Sequence, residues 1–123
     1  MAKISDKPTI LICEDEEGVR ESFKLILEDS YDLKFAHNAI EAMSLLKSVS
    51  PSAMLLDIKM PKISGLDALK DIKKMKPKMP VIIVTGYQSA EMAQEAIRLG
   101  ASDYIPKPFE SKQITKAIEL ALN

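Results

Sequence analysis

Short apolar runs alternate with longer amphipathic stretches along the whole chain. The runs fall at Thr9–Cys13, Asp32–Ala36, Ala53–Asp57, Val81–Thr85 and Ser102–Ile105. Three of them contain Ile10-Leu11-Ile12, Ala53-Met54-Leu55-Leu56 and Val81-Ile82-Ile83-Val84, which are apolar without alternation. A strand buried on both faces reads this way, and parallel sheets produce such strands. The stretches between carry helical spacing. Val19, Phe23, Ile26 and Leu27 recur at i, i+4, i+7 and i+8, and Ile114, Ala117, Ile118 and Ala121 at i, i+3, i+4 and i+7. Asn38 with Glu41, and Ser64 with Asp67, are start signals: a capping side chain with an acid three places on. Gly100 stands where a helix end favours a left-handed residue, and Pro51, Pro77 and Pro80 fall where helices have already stopped. The pattern predicts five β/α pairs in one domain over residues 1–123, of α/β class: a five-stranded parallel sheet, doubly wound with helices on both faces.

Composition narrows the choice of function. Apolar residues make up 46% of the chain, but Trp is absent and aromatics are few, so the core is built from aliphatic side chains and Met. Seventeen basic and eighteen acidic residues nearly cancel, which gives no electrostatic case for direct binding of nucleic acid or an anionic membrane. One cysteine, Cys13, forms no internal disulfide, and one histidine, His37, leaves no soft-metal site. Cys13 is expected to pack as a small hydrophobe and His37 to be a loop residue. The lysines between Lys70 and Lys78 read as a solvated helix face. The opening MAKISDKP segment is not a signal peptide, no run approaches a membrane span, and the cytoplasm is the expected compartment.

The chemistry-bearing residues follow the strands. Glu14-Asp15-Glu16 come after the first, Asp57 ends the third, Thr85-Gly86 end the fourth, and Lys107-Pro108 follow the fifth. In an open α/β sheet, ligands bind beyond the carboxyl ends of the strands, where the strand order reverses. The order 2-1-3-4-5 brings Asp15, Asp57, Thr85 and Lys107 to one edge and leaves strand 2, which exits through Ala36-His37-Asn38, without a part. Clustered carboxylates repel unless a cation joins them. Lys107 supplies one positive charge, and Mg²⁺, which favours oxygen ligands, fits an all-oxygen set better than zinc does. Such a pocket suits phosphoryl transfer: Asp57 as nucleophile, Asp15 as a direct metal ligand, Glu14 as a ligand through water, and Lys107 and the Thr85 hydroxyl on phosphoryl oxygens. Taken singly, each residue has a structural role open to it. The acidic triplet favours a helix N-terminus, Asp57 is a loop acid, Thr85 a turn residue and Lys107 a surface lysine.

At these residues the chain resembles a bacterial response-regulator receiver domain of two-component systems. The segments are ILICEDE (10–16), MLLDIKMP (54–61) with the following Gly65, VIIVTG (81–86) and DYIPKPF (103–109), and together they span nearly the whole chain. The resemblance implies a flavodoxin-like (βα)5 fold and a phosphorylation switch rather than a classical enzyme. It implies Asp57 as phosphoacceptor, Glu14, Asp15 and Asp57 at Mg²⁺ with the backbone carbonyl of Lys59, Thr85 and Lys107 at the phosphoryl group, Thr85 and Tyr104 as switch residues, and a cis Lys107–Pro108 bond. It also implies a sensor histidine kinase as donor and an output domain or effector, with transcription regulation or a phosphorelay in view. Glu14 departs from the family's commoner Asp, Lys59 puts a charged side chain near the expected metal, and Tyr87 sits two places past Thr85.

The expected response runs from Thr85 drawn inward, through Tyr104 turning in, to a changed surface on the fourth helix, fifth strand and fifth helix. That surface includes Glu91, Gln94, Glu95, Arg98, Lys112, Gln113 and Lys116, and is a possible homodimer contact. Three rivals compete: a flavin-binding electron carrier, an Mg²⁺-dependent phosphatase, and an interaction module that is never phosphorylated. The acidic turn after strand 1 repels a flavin phosphate. Lys59 replaces the acid that a phosphatase would use to protonate a leaving group.

Overall fold

A computed structural model describes residues 7–58, 65–86 and 89–123. The expectations for Lys59, Ser64 and Tyr87 lie outside these residues. The element order is β1 (Thr9–Cys13), α1 (Glu17–Leu27), β2 (Asp32–Ala36), α2 (Ala39–Leu46), β3 (Ala53–Leu56), α3 (Gly65–Met75), β4 (Val81–Thr85), α4 (Ala90–Arg98), β5 (Asp103–Pro106) and α5 (Ser111–Leu122). All neighbouring strands pair in parallel, in the order β2-β1-β3-β4-β5.

The absence of alternation in the central strands has a direct cause: each face of the sheet meets a helical layer. Leu11, Met54, Leu56, Val81 and Ile83 pack with Ala42 and Leu46 of α2, Ala68, Leu69 and Ile72 of α3, and Ala96 of α4. Ile10, Ile12, Leu55, Ile82 and Val84 pack on the other face with Phe23 and Leu27 of α1 and Ile114, Ala117 and Ile118 of α5. Successive strand residues point to opposite faces, so two apolar layers require a continuous apolar run.

Two strand boundaries differ from the sequence reading. β3 ends at Leu56, although the Asp57 N–H still donates to Cys13 O at 3.1 Å, so the aspartate leaves the sheet directly from the last ladder bond. β5 starts one residue later than expected and includes Pro106, which lies opposite Thr85. An edge strand tolerates proline because one side of it has no ladder to complete.

The helix signals fare well. Asn38 accepts from Glu41 N at 2.8 Å. Gly100 has φ 111°, and its N–H and that of Ala101 reach back to Ile97 O and Ala96 O at 3.0 and 2.9 Å, closing α4 with a left-handed turn. Gly65 is required for a different reason. A Cβ there would overlap the Cα, Cβ and carbonyl oxygen of Ile58, so α3 begins pressed against the backbone just beyond Asp57.

Candidate functional site

Glu14, Asp57 and Thr85 are the buried polar residues among those described, and each stands at the exit of one of the three central strands. The side chain that joins two of them comes from the far end of the sequence. Lys107 Nζ donates to Asp57 Oδ2 at 2.9 Å and lies 2.8 Å from Glu14 Oε1. It also stands 4.0 Å from Glu16 Oε1, a contact the sequence did not single out.

Local structure fixes that ammonium. The Lys107 N–H donates to Thr85 O at 2.8 Å, carrying the β4–β5 register one residue past the strand. The Lys107–Pro108 bond is cis, as the resemblance implied. Phe109 stacks on Phe23 of α1 with ring centroids 5.0 Å apart and an 8° angle between planes. The segment is thus held to β4 on one side and α1 on the other.

The β1–α1 turn is equally tied. Glu14 N donates to Ala36 O at 3.0 Å, and Glu14 Oε2 accepts from Glu16 N at 3.2 Å. Arg20, on the first turns of α1, donates from Nη1 to Glu14 O at 2.9 Å. Sequence reasoning missed Arg20. Its signal was its position, one helical turn beyond the acidic triplet and able to reach back over it.

Charge is concentrated at this rim. Burial pushes the Glu14 carboxyl up to about 7, and the Asp57 charge adds to it against the pull of Lys107. Burial works against the Lys107 ammonium, but its bond to Asp57 and the attraction of the Asp57 and Glu14 carboxylates outweigh that and hold it above the ordinary lysine value. Burial first, then Glu14 and Asp57, push the Cys13 thiol up to about 12, so this buried cysteine is an inert hydrophobe, as expected. Tyr104 is half-buried against the α2–α4 layer, and its hydroxyl is raised by burial and then by Asp57.

The donor set fits a hard cation. Carboxylate oxygens of Glu14, Asp15 and Glu16 lie within 4.8 Å of one another. Lys107 approaches Glu14 Oε1 closely but off the hydrogen-bond line, and Oε1 is the buried side-chain atom left without an aligned donor among the described residues. A carboxylate oxygen so placed is available to a further cation or its water.

β2, at the far edge of the sheet, leaves through His37 and Asn38. His37 is exposed, with Nδ1 3.0 Å from Glu41 Oε1. On the face formed by α4, β5 and α5, the named residues are exposed with one exception: Glu95 is half-buried and pairs with Arg98. The sequence reading did not foresee the exposure of Ile97 and Leu120 on these helices, at 48% and 65%. Tyr104, Pro106, Gln113, Lys116 and Leu120 line a hollow of about 300 Å³ there. No helix among the described residues is long and apolar enough to cross a membrane.

The chain is similar to known proteins over most of its length. Residues 10–119 match the response regulator receiver domain. The chain is 35% identical over 114 residues to the regulatory protein AtoC of Escherichia coli, covering 92% of this chain and 25% of that protein. It is 39% identical over 115 residues to a putative NtrX-like response regulator of Rickettsia bellii, covering 91% and 24%. This chain therefore spans about a quarter of the length of these two curated relatives. A CheY-like receiver domain from Methanospirillum hungatei superposes with a TM-score of 0.90 at 32% identity, over 95% of this chain and 94% of that one. NtrX from Brucella abortus superposes at 0.88 and 34%, over 94% and 27%. With its fold, its strand order and its acidic rim all in agreement, this chain belongs to the response regulator receiver domain family of two-component systems.

Proposed function

We propose that Asp57 accepts a phosphoryl group from a sensor histidine kinase and that the acyl phosphate biases the α4–β5–α5 face. The observation that carries this reading is the Lys107 ammonium held between Asp57 Oδ2 and Glu14 Oε1, at 2.9 and 2.8 Å. A cation so held bonds one Asp57 oxygen and lies beside the place where phosphoryl charge develops. An Asp57 carboxylate oxygen forms the new bond to phosphorus while the bond from phosphorus to the donor's imidazole nitrogen breaks.

Glu14, Asp15 and Asp57, with the Lys59 carbonyl, would hold Mg²⁺. Bound there, the ion supplies charge neutralisation for the transferring phosphoryl oxygens. Thr85, fully buried at the end of β4, receives a phosphoryl oxygen through its hydroxyl, and the half-buried Tyr104 follows it inward. The response then reaches the hollow lined by Tyr104, Gln113, Lys116 and Leu120, where an output domain, an effector or a second copy of the domain binds. Autodephosphorylation ends the signal. The nearly neutral charge balance supports a protein partner over direct nucleic acid or membrane contact, and a single cysteine, with no internal disulfide to form, suits a cytoplasmic setting.

The test is intact-mass spectrometry after incubation with acetyl phosphate and Mg²⁺. One added phosphoryl group is expected on the parent and none on Asp57→Asn. A parent that stays unmodified would favour the never-phosphorylated interaction module. Replacing Thr85 with Ala should abolish the shift in partner binding produced by a phosphate mimic, while the mimic still binds.

A further inference from the structure

The acidic turn between β1 and α1 is gripped at both ends by one residue. Arg20 N–H donates to Glu16 O at 3.1 Å in the first turn of α1, and Arg20 Nη1 donates to Glu14 O at 2.9 Å. Between those two carbonyls lie Asp15 and Glu16, and the first of the carbonyls is Glu14's own. Inside the same loop, Glu16 N–H is held on Glu14 Oε2 at 3.2 Å. Three carboxylates whose oxygens lie within 4.8 Å of one another repel, and repulsion of that kind opens a turn unless its backbone is anchored. Arginine suits the anchor because its planar guanidinium reaches a carbonyl with little loss of freedom per bond and stays charged at any pH of interest.

We propose that Arg20 is a positioning residue for the cation site: its guanidinium fixes the Glu14–Asp15 peptide so that the carboxylates of the turn converge. The proposal rests on the reading of this rim as an Mg²⁺ site. It makes a prediction of counterintuitive sign. Arg20 is itself a cation, so on charge alone its removal should tighten Mg²⁺ binding. If it positions the turn, its removal weakens binding, by the 10–100-fold typical of residues that orient metal ligands.

The experiment compares the parent with Arg20→Met, Arg20→Lys and, as a control on the same helix, Ser22→Ala. Two measurements are made: Mg²⁺ affinity by isothermal titration calorimetry, and hydrogen exchange of the Glu16 amide in metal-free protein. Arg20→Met is expected to lose roughly tenfold or more in affinity and to exchange the Glu16 amide at least about tenfold faster. Arg20→Lys, which keeps the charge but not the planar fork, should fall between Arg20→Met and the parent in both. Ser22→Ala should match the parent. Tighter or unchanged Mg²⁺ binding in Arg20→Met would overturn the proposal, as would parent-like exchange at Glu16. If Arg20→Met fails to fold, Arg20→Lys carries the same decision, and parent-like values in it count against positioning. If the parent takes up no Mg²⁺, the metal reading of the rim fails, and the metal-free exchange measurement still decides whether Arg20 holds the turn.

Discussion

The interior of the sheet and the rim at its carboxyl end are built from the same three strands and obey opposite rules. Within β1, β3 and β4 the core residues lie fully or almost fully out of water, and each fits between strand neighbours and a helix. One residue beyond, at Glu14 and Asp57, burial is just as deep but the buried groups are like charges joined by one ammonium. Apolar burial lowers the free energy of the folded state, whereas carboxylate burial raises it unless the partner's attraction repays the desolvation. The contrast separates what the fold rests on from what it carries. Stability is concentrated along the strands, and buried charge at the point where the chain leaves them.

The largest effects should therefore differ in sign between the two regions. Ile83→Ala, in the middle of β4 with no exposure, is expected to cost about 2–5 kcal/mol of unfolding free energy in urea titrations. Asp57→Asn, also buried, removes one of two repelling carboxylates and is expected to stabilise the metal-free protein by roughly 0.5–2 kcal/mol while ending phosphoryl acceptance. A destabilised Asp57→Asn protein would break the comparison, because it would make the rim part of the structural core.

Gly65 ties the two regions together. A methyl group at that position has no space beside Ile58, so Gly65→Ala must move either the start of α3 or the backbone that follows Asp57. The expected cost is about 1–3 kcal/mol, as for other overpacked sites, together with slower acyl phosphate formation. Loss of stability with a parent-like phosphorylation rate would mean that α3 yields and the rim does not.

The rim should also leave its mark on the pH dependence of stability. The carboxyl of Glu14 is raised in the folded state from 4.5 to about 7, mainly by burial. The folded protein then holds a proton that the unfolded chain has released over that interval. This contribution to stability is complete below about pH 4.5 and is lost as pH rises through about 7. Thermal melts of metal-free protein should show a fall on the order of 1–3 kcal/mol between pH 5 and 8 that is absent in Glu14→Gln. Saturating Mg²⁺ should flatten the slope by favouring the ionised carboxylates. A slope unchanged in Glu14→Gln would assign it elsewhere.

Most of the fold was legible because burial on two faces writes itself as an unbroken apolar run, and helices as a 3.6-residue period. The convergence of Glu14, Asp57 and Lys107 was legible because strand order dictates which exits are neighbours. What escaped was set by side-chain reach and not by pattern. Arg20 folding back onto Glu14 O, Glu16 approaching Lys107, and Glu95 turning toward Arg98 are choices of rotamer, and one helix spacing permits several. The end of β5 at Pro106 was missed for a related reason. Proline speaks against a strand in general, but not at an edge where its ring faces away from the ladder.

The smallest expected effect tests the one strand exit that has no chemistry. β2 lies at the far edge of the sheet and leaves through His37 and Asn38. There the polar groups serve the helix that follows: Asn38 Oδ1 accepts Glu41 N at 2.8 Å, and Glu41 Oε1 accepts His37 N at 3.3 Å. The other exits carry groups that face each other across the rim, while this exit satisfies its own backbone. Asn38→Ala should therefore cost only about 1 kcal/mol, the usual worth of a helix cap, which lowers the melting temperature by about 4 °C in a domain of this size. The acyl phosphate yield of the variant at saturating Mg²⁺ should match the parent's, because the Asn38 side chain is committed to Glu41 N at the start of α2. A lowered yield at unchanged stability would mean that α2 transmits strain to the rim through the Glu14 N–H bond to Ala36 O, and that the division between edge and centre is less complete than the strand order implies.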